Sequence, residues 1–228
     1  MMKSDQTYEQ AIILDFEMNP VTKENNTALA NEIIEIGAVK VVNNSEITDR
    51  FQSYVKPVFS NTLSPIIRRL TGIDESNLRH APTFIFAIHT FSEWIGNRKT
   101  KIYAWSESDY QQFQTECNEK EMNPPDNMNE WEDLQNIYFK KLGADITREK
   151  TALKKAAEQN GIVIDKHLIH SASYDAYITT QIYLLLSTGR FQKQASLLRE
   201  AHNTNRSSAP LLLGEMCKSF FEQNMDFT

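Results

Sequence analysis

The first part of the chain carries the apolar and β-branched pattern of three successive strands. Residues 10–17 contain the continuous apolar run Ala11 to Leu14, which is typical of a strand buried on both faces. Residues 31–42 and 47–55 are rich in β-branched and aromatic side chains, and the turn sequence Asn43-Asn44-Ser45 separates them. The pattern predicts three consecutive strands arranged as a meander.

From residue 64 onward the pattern becomes mainly helical. Ser64-Pro65 is typical of a helix start and Gly72 of a helix stop. The other predicted elements are helices at about 82–96, from 109 onward, at 147–159, 174–187, 191–203 and 210–224, a strand at 101–105 and a loop at 123–129. Residues 131–142 mix strand-like and helical features, so their type stays open. Strands followed by helices with further strands among them predict a mixed sheet covered by helices, of α/β or α+β class.

Length and composition limit the classes of protein to which the chain can belong. The 228 residues, of which 40% are hydrophobic and 24% charged, suit one globular domain with a sizeable core. No apolar run approaches the roughly 20 residues of a membrane span, and the amino terminus lacks a signal peptide's apolar stretch. We therefore expect a soluble cytoplasmic protein with no membrane partner, in which Cys117 and Cys217 are free thiols.

The net charge of −6, from 30 acidic and 24 basic residues, argues against a protein that coats duplex nucleic acid by bulk counterion release. A compact site that binds a few phosphates is not excluded, because bound metal ions reverse the local sign of its carboxylates.

Two carboxylates end the first apolar run. Asp15 and Glu17 are separated by one residue, and the period of a strand places both side chains on the same face. Neighbouring carboxylates repel, so a divalent metal ion is their natural partner. The alternative is a solvated strand end, and this pair alone leaves both interpretations open.

Two further motifs supply similar groups. In His170-Ser-Ala-Ser-Tyr-Asp175, Ser171 or Ser173 suits an N-cap, which puts the aspartate in the first turns of a helix and the histidine on the preceding loop. Asp109 stands at the entrance of another helix, where capping is its simplest role. Taken together, the four carboxylates and the histidine match the ligand inventory of a two-metal phosphoryl-transfer site.

The runs ILDFE, WSESD and HSASYDA resemble, in this order, the three motifs of the DEDDh (DnaQ-like) 3′-5′ exonuclease superfamily. The resemblance spans about residues 10–188 and includes VKPVFSNTLSPIIRRLTGI followed by APTF, which is similar to the linker between the first two motifs. His170 lies five residues before Asp175 and fits the histidine branch. In the tyrosine branch the general base lies four residues before the aspartate, a position that Ser171 occupies here.

The resemblance implies a ribonuclease H-like α/β fold. It has a five-stranded mixed sheet flanked by helices, and the first strand is central. The exonuclease domain would cover residues 8–189. Residues 190–228 would form a helical C-terminal extension that packs on the domain or on a partner subunit.

The resemblance also implies a site with two divalent ions, Mg²⁺ or Mn²⁺, about 4 Å apart. Asp15 would bridge both ions, Glu17 and Asp175 would bind the ion that activates water, and Asp109 would serve the second ion. His170 would be the general base.

The implied substrates are the 3′ ends of single-stranded DNA or RNA, which are shortened with release of nucleoside 5′-monophosphates. Phe16 and Met18 are the candidate substrate-binding residues. Met18 is placed on the face of the carboxylates and is expected to touch the terminal base. Relatives often have threonine or another small residue at this position. Phe16 points the opposite way and is expected to contribute mainly to the core. Homodimers are common among smaller relatives, which makes a second copy of the chain a candidate partner.

Two alternatives stand beside the exonuclease. One is a catalytically silent scaffold of the same fold that binds nucleic-acid ends. The other is an unrelated fold in which the acidic residues are helix caps and surface charges.

Overall fold

The computed structural model describes residues 8–21, 27–60, 62–142 and 152–191, and within these ranges five strands form one sheet. The strands are β1 (Gln10–Pro20), β2 (Asn31–Val42), β3 (Glu46–Tyr54), β4 (Thr100–Ala104) and β5 (Trp131–Asp133). Their spatial order is β3-β2-β1-β4-β5, so the apolar strand β1 is central, as predicted.

The sheet is mixed. β1 pairs antiparallel with β2, and β2 pairs antiparallel with β3, which confirms the predicted meander. On its other side β1 pairs parallel with β4, and β4 pairs parallel with β5. Parallel neighbours need crossover connections, and the helices between these strands supply them.

Seven α-helices surround the sheet within the described residues. They are α1 (Pro65–Thr71), α2 (Glu75–Arg79), α3 (Phe84–Ile95), α4 (Glu107–Glu119), α5 (Leu134–Leu142), α6 (Leu153–Gln159) and α7 (Ala172–Ser187). The ambiguous segment 131–142 resolves into both types, because strand β5 runs directly into α5. The predicted loop at 123–129 contains one short 3₁₀ turn, Asp126–Met128. Helix α2 was not predicted.

Alternation along β1 builds a core on each face of the sheet. Ala11 and Ile13 pack with residues of α5, α6 and α7, whereas Ile12, Leu14 and Phe16 pack with residues of α3 and α4. Both faces of the central strand are therefore covered, which explains its continuous apolar run. A mixed sheet with helices on both faces is the predicted ribonuclease H-like arrangement.

A buried ionic network holds the segment that follows β3. The carboxylate of Glu32 accepts hydrogen bonds from the backbone N–H groups of residues 58, 59 and 60. Lys120 bridges Glu32 and Glu116 at 3.1 and 2.6 Å. The segment continues to Ser64, whose N–H donates to Asn19 at the end of β1. These bonds fix the entry to α1 beside the end of the central strand.

Some predictions lie outside the described residues. This holds for residues 147–151 of the predicted helix 147–159, of which α6 forms the later part. It holds also for the C-terminal extension from residue 192 onward, including most of the helix predicted at 191–203 and all of the one at 210–224. In the part of the chain that the structure describes, no helix combines the length and apolar character needed to cross a membrane.

Candidate active site

The end of β1 presents the first two carboxylates toward α7. Asp15 and Glu17 continue the row of Ala11 and Ile13, and both are half-buried. In the pairing with β2, Asp15 lies opposite Gly37 and Glu17 lies opposite Glu35. The register shifts directly after Glu17, and such irregularities often adjoin active sites because they redirect side chains.

Asp109 reaches the same strand from α4. It lies buried in the first turn of that helix, and its Oδ1 accepts a hydrogen bond of 3.1 Å from the N–H of Phe16. The N-cap of α4 is Ser106, whose side chain makes no capping hydrogen bond. Asp109 is thus more than a local helix-cap residue, because it ties α4 to the backbone between Asp15 and Glu17.

The third motif lies at the start of α7. His170 has a left-handed backbone conformation (φ 68°), and its N–H donates to Asp175 Oδ2 at 3.3 Å. Ser171 occupies the N-cap position, as predicted, but its side chain does not cap the helix. Instead the N–H of Ala172 donates to Glu35 Oε2 of β2 at 3.1 Å. The helix start is therefore capped from the sheet.

These elements converge on one open groove with a volume of about 430 Å³. All four predicted carboxylates line it, together with Phe16, Met18, Asn31, Ile67, Trp105, Ser106, Ser108 and Leu153. Potential ligand atoms of Glu17, His170 and Asp175 lie within 4.8 Å of one another. The structure thus brings together all five side chains that the motifs single out.

The electrostatics of the groove reflect burial of the carboxylates first and crowding of like charges second. Burial, reinforced by Asp109, Asp175, Glu17 and Glu35, raises the pKa of Asp15 well above its usual range. Burial, reinforced by Asp175, Glu35 and Asp109, raises the pKa of Glu17 to about 8. Burial also raises the pKa of Asp109 to about 7. Burial also raises the pKa of Asp175, although the His170 N–H opposes the shift.

This donor set suits hard divalent cations. Carboxylate oxygens are the ligands that Mg²⁺ and Mn²⁺ prefer, and a cation would offset the repulsion that raises these pKa values. Among the described residues, the cluster of Glu17, His170 and Asp175 meets the spacing that a metal ion needs. The residues therefore fit the implied metal centre.

The two candidate substrate contacts have different surroundings. The ring of Phe16 is 5% exposed and lies in the core, as alternation predicts. Met18 also packs against that core cluster, so its expected position on the carboxylate face was wrong. Consecutive strand residues point to opposite faces, which places Met18 on the face opposite Glu17. Both residues still line the groove, and their contact with substrate stays a prediction.

Neighbouring acids that could be mistaken for ligands have local roles. Asp133 Oδ1 accepts from the N–H of Asn136 at the start of α5, and Asp165 Oδ1 accepts from the N–H of His167. Glu107 is exposed. Tyr174 borders the core, and its hydroxyl accepts a hydrogen bond from the N–H of Asp165.

One residue of this region was missed. Glu35 is 1% exposed and lies opposite Glu17 in the pairing of β1 with β2. Its carboxylate accepts a hydrogen bond from the N–H of Ala172 at the start of α7. A signal was available, because a glutamate within the apolar run IIEIGAV needs a partner when the strand is buried.

The chain belongs to the exonuclease family RNase_T, whose model matches residues 12–183. This membership places it in the DEDDh (DnaQ-like) superfamily of 3′-5′ exonucleases that its motifs resemble. The alternative of an unrelated fold is thereby overturned.

Individual relatives match parts of the chain. ERI1 exoribonuclease 2 of Xenopus laevis is 29% identical over 159 residues, which is 60% of this chain and 23% of the relative. The PolC-type DNA polymerase III of Bacillus subtilis is 36% identical over 89 residues, which is 39% of this chain and 6% of the relative. The chain thus matches less than a quarter of either protein's length.

A solved structure agrees with the fold. The nuclease domain of 3′hExo, a DEDDh family member bound to rAMP, superposes with a TM-score of 0.69 at 24% identity. The superposition covers 82% of this chain and 96% of that domain. It confirms the ribonuclease H-like architecture.

Proposed function

We propose that the protein is a metal-dependent exonuclease that removes nucleotides from the 3′ ends of single-stranded RNA or DNA and releases nucleoside 5′-monophosphates. The observation that carries this proposal is the convergence of Asp15, Glu17, Asp109 and Asp175 on one groove, with His170 beside Glu17 and Asp175. Membership of the exonuclease family supports the reaction class.

The four carboxylates would hold two divalent ions, Mg²⁺ or Mn²⁺. Asp15 would be shared between both ions, Glu17 and Asp175 would serve one, and Asp109 the other. Such ions supply Lewis-acid stabilisation of the phosphate charge and lower the pKa of bound water. The buried position of Asp109 and its hydrogen bond from the Phe16 N–H restrict its carboxylate to one orientation toward the groove.

His170 would act as the general base. Its exposed side chain stands at the start of α7, so its imidazole can exchange protons with solvent after each turnover. The hydrogen bond from its own N–H to Asp175 keeps the loop beside the carboxylates. In this position the imidazole would accept a proton from the attacking water.

The substrate must present an unpaired end, because the terminal phosphodiester has to lie against the carboxylates at the bottom of the groove. The matched relatives are named an exoribonuclease and a DNA polymerase, and the exoribonuclease matches over the longer segment. RNA is therefore the first substrate to test. A cytoplasmic location and a homodimer remain part of the proposal.

The test is digestion of 5′-labelled single-stranded RNA and DNA of the same sequence with Mg²⁺, Mn²⁺ or EDTA. We expect a ladder that shortens from the 3′ end, that EDTA and Asp15→Ala abolish, and that His170→Ala slows strongly. The labelled strand reports the direction of cleavage, and chromatography of the released nucleotides reports the position of the phosphate.

The second candidate is the catalytically silent scaffold. It predicts that the protein binds 3′ ends in a mobility-shift assay and leaves them intact with each metal. Since the four carboxylates line the groove and His170 lies beside Glu17 and Asp175, we expect cleavage. Intact substrate in every lane would contradict the proposed function.

A further inference from the structure

Glu35 is a fully buried carboxylate that the proposed reaction does not use. Each of its oxygens already accepts a hydrogen bond from the protein: Oε1 from Gln52 of β3 at 2.6 Å and Oε2 from the N–H of Ala172 at 3.1 Å. The hydroxyl of Ser171 also hydrogen-bonds to this carboxylate. The side chain thus connects β3, β2 and the start of α7.

The backbone of β2 meets the same helix start two residues further on. A Cβ atom added at Gly37 would lie 2.0 Å from the carbonyl carbon of Ala172 and 2.2 Å from the nitrogen of Ser173. Only a glycine permits this approach. Ala172 itself is completely buried. Strand β2 therefore defines the position of the first turn of α7 through one hydrogen-bond acceptor and one close backbone contact.

Two of the five site residues lie at the start of α7. His170 precedes the helix in a left-handed conformation, and Asp175 lies in its first turn. No side chain of α7 caps the helix, so the Glu35 carboxylate is the group that satisfies the Ala172 N–H. Without it, a buried N–H would lose its partner and the helix start would be free to move away from β1.

We propose that Glu35 is a positioning residue that anchors the start of α7, and thereby places His170 and Asp175 against Asp15 and Glu17. This inference rests on the proposed function only for its kinetic consequence. The structural consequence, an ordered helix start, is measurable without any activity.

The alternative role for Glu35 is that of a further metal ligand, since it lies opposite Glu17. The two roles differ in what they require from the side chain. An anchor needs a hydrogen-bond acceptor, which glutamine retains through its carbonyl oxygen, with Gln52 turning its amide to match. A metal ligand needs the negative charge, which glutamine lacks.

The experiment compares Glu35→Ala, Glu35→Gln and Gln52→Ala with Tyr183→Phe. Tyr183 is the matched control, because its hydroxyl donates to Asn44 at 2.9 Å and so ties the far end of the same helix to the turn between β2 and β3. Three quantities are measured: amide hydrogen exchange of residues 170–176, Mn²⁺ affinity by calorimetry, and kcat and KM on labelled RNA.

In Glu35→Ala we expect faster amide exchange at residues 170–176. We also expect kcat to fall by about 10²-fold with little change in KM, because displacement of catalytic groups by about 1 Å has an effect of this size. Glu35→Gln should restore kcat to within about tenfold of wild type and keep the wild-type Mn²⁺ affinity. Tyr183→Phe should match wild type in exchange at 170–176 and in kcat. If Glu35→Ala does not fold, Gln52→Ala carries the test, with smaller changes in the same direction.

Two results would overturn the inference. Wild-type exchange at residues 170–176 in Glu35→Ala or Gln52→Ala would show that the carboxylate does not order the helix start. A loss of Mn²⁺ affinity in Glu35→Gln as large as in Asp175→Asn would show that Glu35 is a metal ligand. If wild type itself cleaves nothing, the proposed function fails, and hydrogen exchange still decides the role of Glu35.

Discussion

The carboxylates of the groove should give the metal-free protein an unusual dependence of stability on pH. Burial and crowding raise the pKa of Glu17 from an ordinary 4.5 to about 8. Between these values the folded state binds more protons than the unfolded state, so the free energy of unfolding decreases as pH rises. Most globular proteins gain stability over the acidic part of this range, because their carboxylates are stabilised in the charged form.

We therefore predict that, in a chelating buffer, the melting temperature falls between about pH 5 and pH 8. Glu17→Gln should flatten this fall, because it removes a groove carboxyl whose pKa burial and neighbouring acids raise to about 8. Thermal unfolding followed by circular dichroism at several pH values measures both. A slope that is the same in the variant and in wild type would contradict the assignment of the effect to Glu17.

The second prediction at the scale of single residues concerns His170. Replacement by alanine should lower kcat by about 10²- to 10⁴-fold, which is the usual contribution of a general base. Mn²⁺ affinity should change far less than in Asp175→Ala. Single-turnover digestion and calorimetry measure the two quantities.

The control for this variant is His167→Ala, because His167 is an exposed histidine three residues away on the same loop. It should keep wild-type activity. If His170→Ala lost Mn²⁺ binding as completely as Asp175→Ala, His170 would be a metal ligand instead of a base, a role that its distance to Glu17 and Asp175 also permits.

At the scale of elements, the position of α7 is restricted by β2, because no space separates the backbone of β2 at Gly37 from the backbone of α7 at Ala172. We predict that Gly37→Ala destabilises the protein by about 3 kcal/mol, near the upper end for overpacking, since backbone atoms must move to admit the Cβ atom. Activity should fall by about 10²-fold as His170 and Asp175 shift. Urea denaturation and the digestion assay measure these effects.

Gly189→Ala is the matched control at the other end of α7. Its Cβ would meet no atom within 4 Å, but its φ of 74° strains an alanine, so we expect a loss of about 1–2 kcal/mol with normal activity. If both variants lowered stability and activity in the same proportion, the close contact at Gly37 would have no special influence on the site.

At the scale of elements, sequence patterns failed where elements are short. Helix α2 has five residues and strand β5 has three, and neither is long enough to show a hydrophobic period. Helix α2 depends on a capping box between Asp74 and Asn77, which is a local signal independent of periodicity. The long strands β1 and β2 were predicted because their burial repeats over many residues.

For the whole molecule, metal binding and folding should be linked. Divalent ions that bind the folded groove and not the unfolded chain would raise stability by about 2.7 kcal/mol at a concentration 100 times the dissociation constant. We predict that Mn²⁺ raises the melting temperature of wild type and has no such effect on Asp15→Asn.

The same variant should be more stable than wild type in a chelating buffer, because it removes one of the crowded charges. Differential scanning fluorimetry with and without Mn²⁺ measures both effects. Asp165→Asn, a substitution outside the groove, is the control and should respond to Mn²⁺ as wild type does. An equal response of Asp15→Asn would place the metal elsewhere.

The side chains that the structure brings together at the groove were singled out from the sequence alone, and the class of fold was predicted from it as well. Asp15, Glu17, Asp109, His170 and Asp175 stand in short motifs, and their local surroundings are visible as strand ends and helix starts. The continuous apolar run predicted that β1 is covered on both faces, and the family resemblance implied its central place in the sheet.

Only the tertiary structure decided how these motifs are held together. The contact of Asp109 with Phe16 joins residues 93 positions apart, and the contact of Glu35 with Ala172 joins residues 137 positions apart. Neither is encoded in a periodic pattern. Met18 is a different case, because strand alternation by itself places it on the face of Phe16, where it packs. Local patterns determine which groups the chain carries, and long-range packing determines which of them meet.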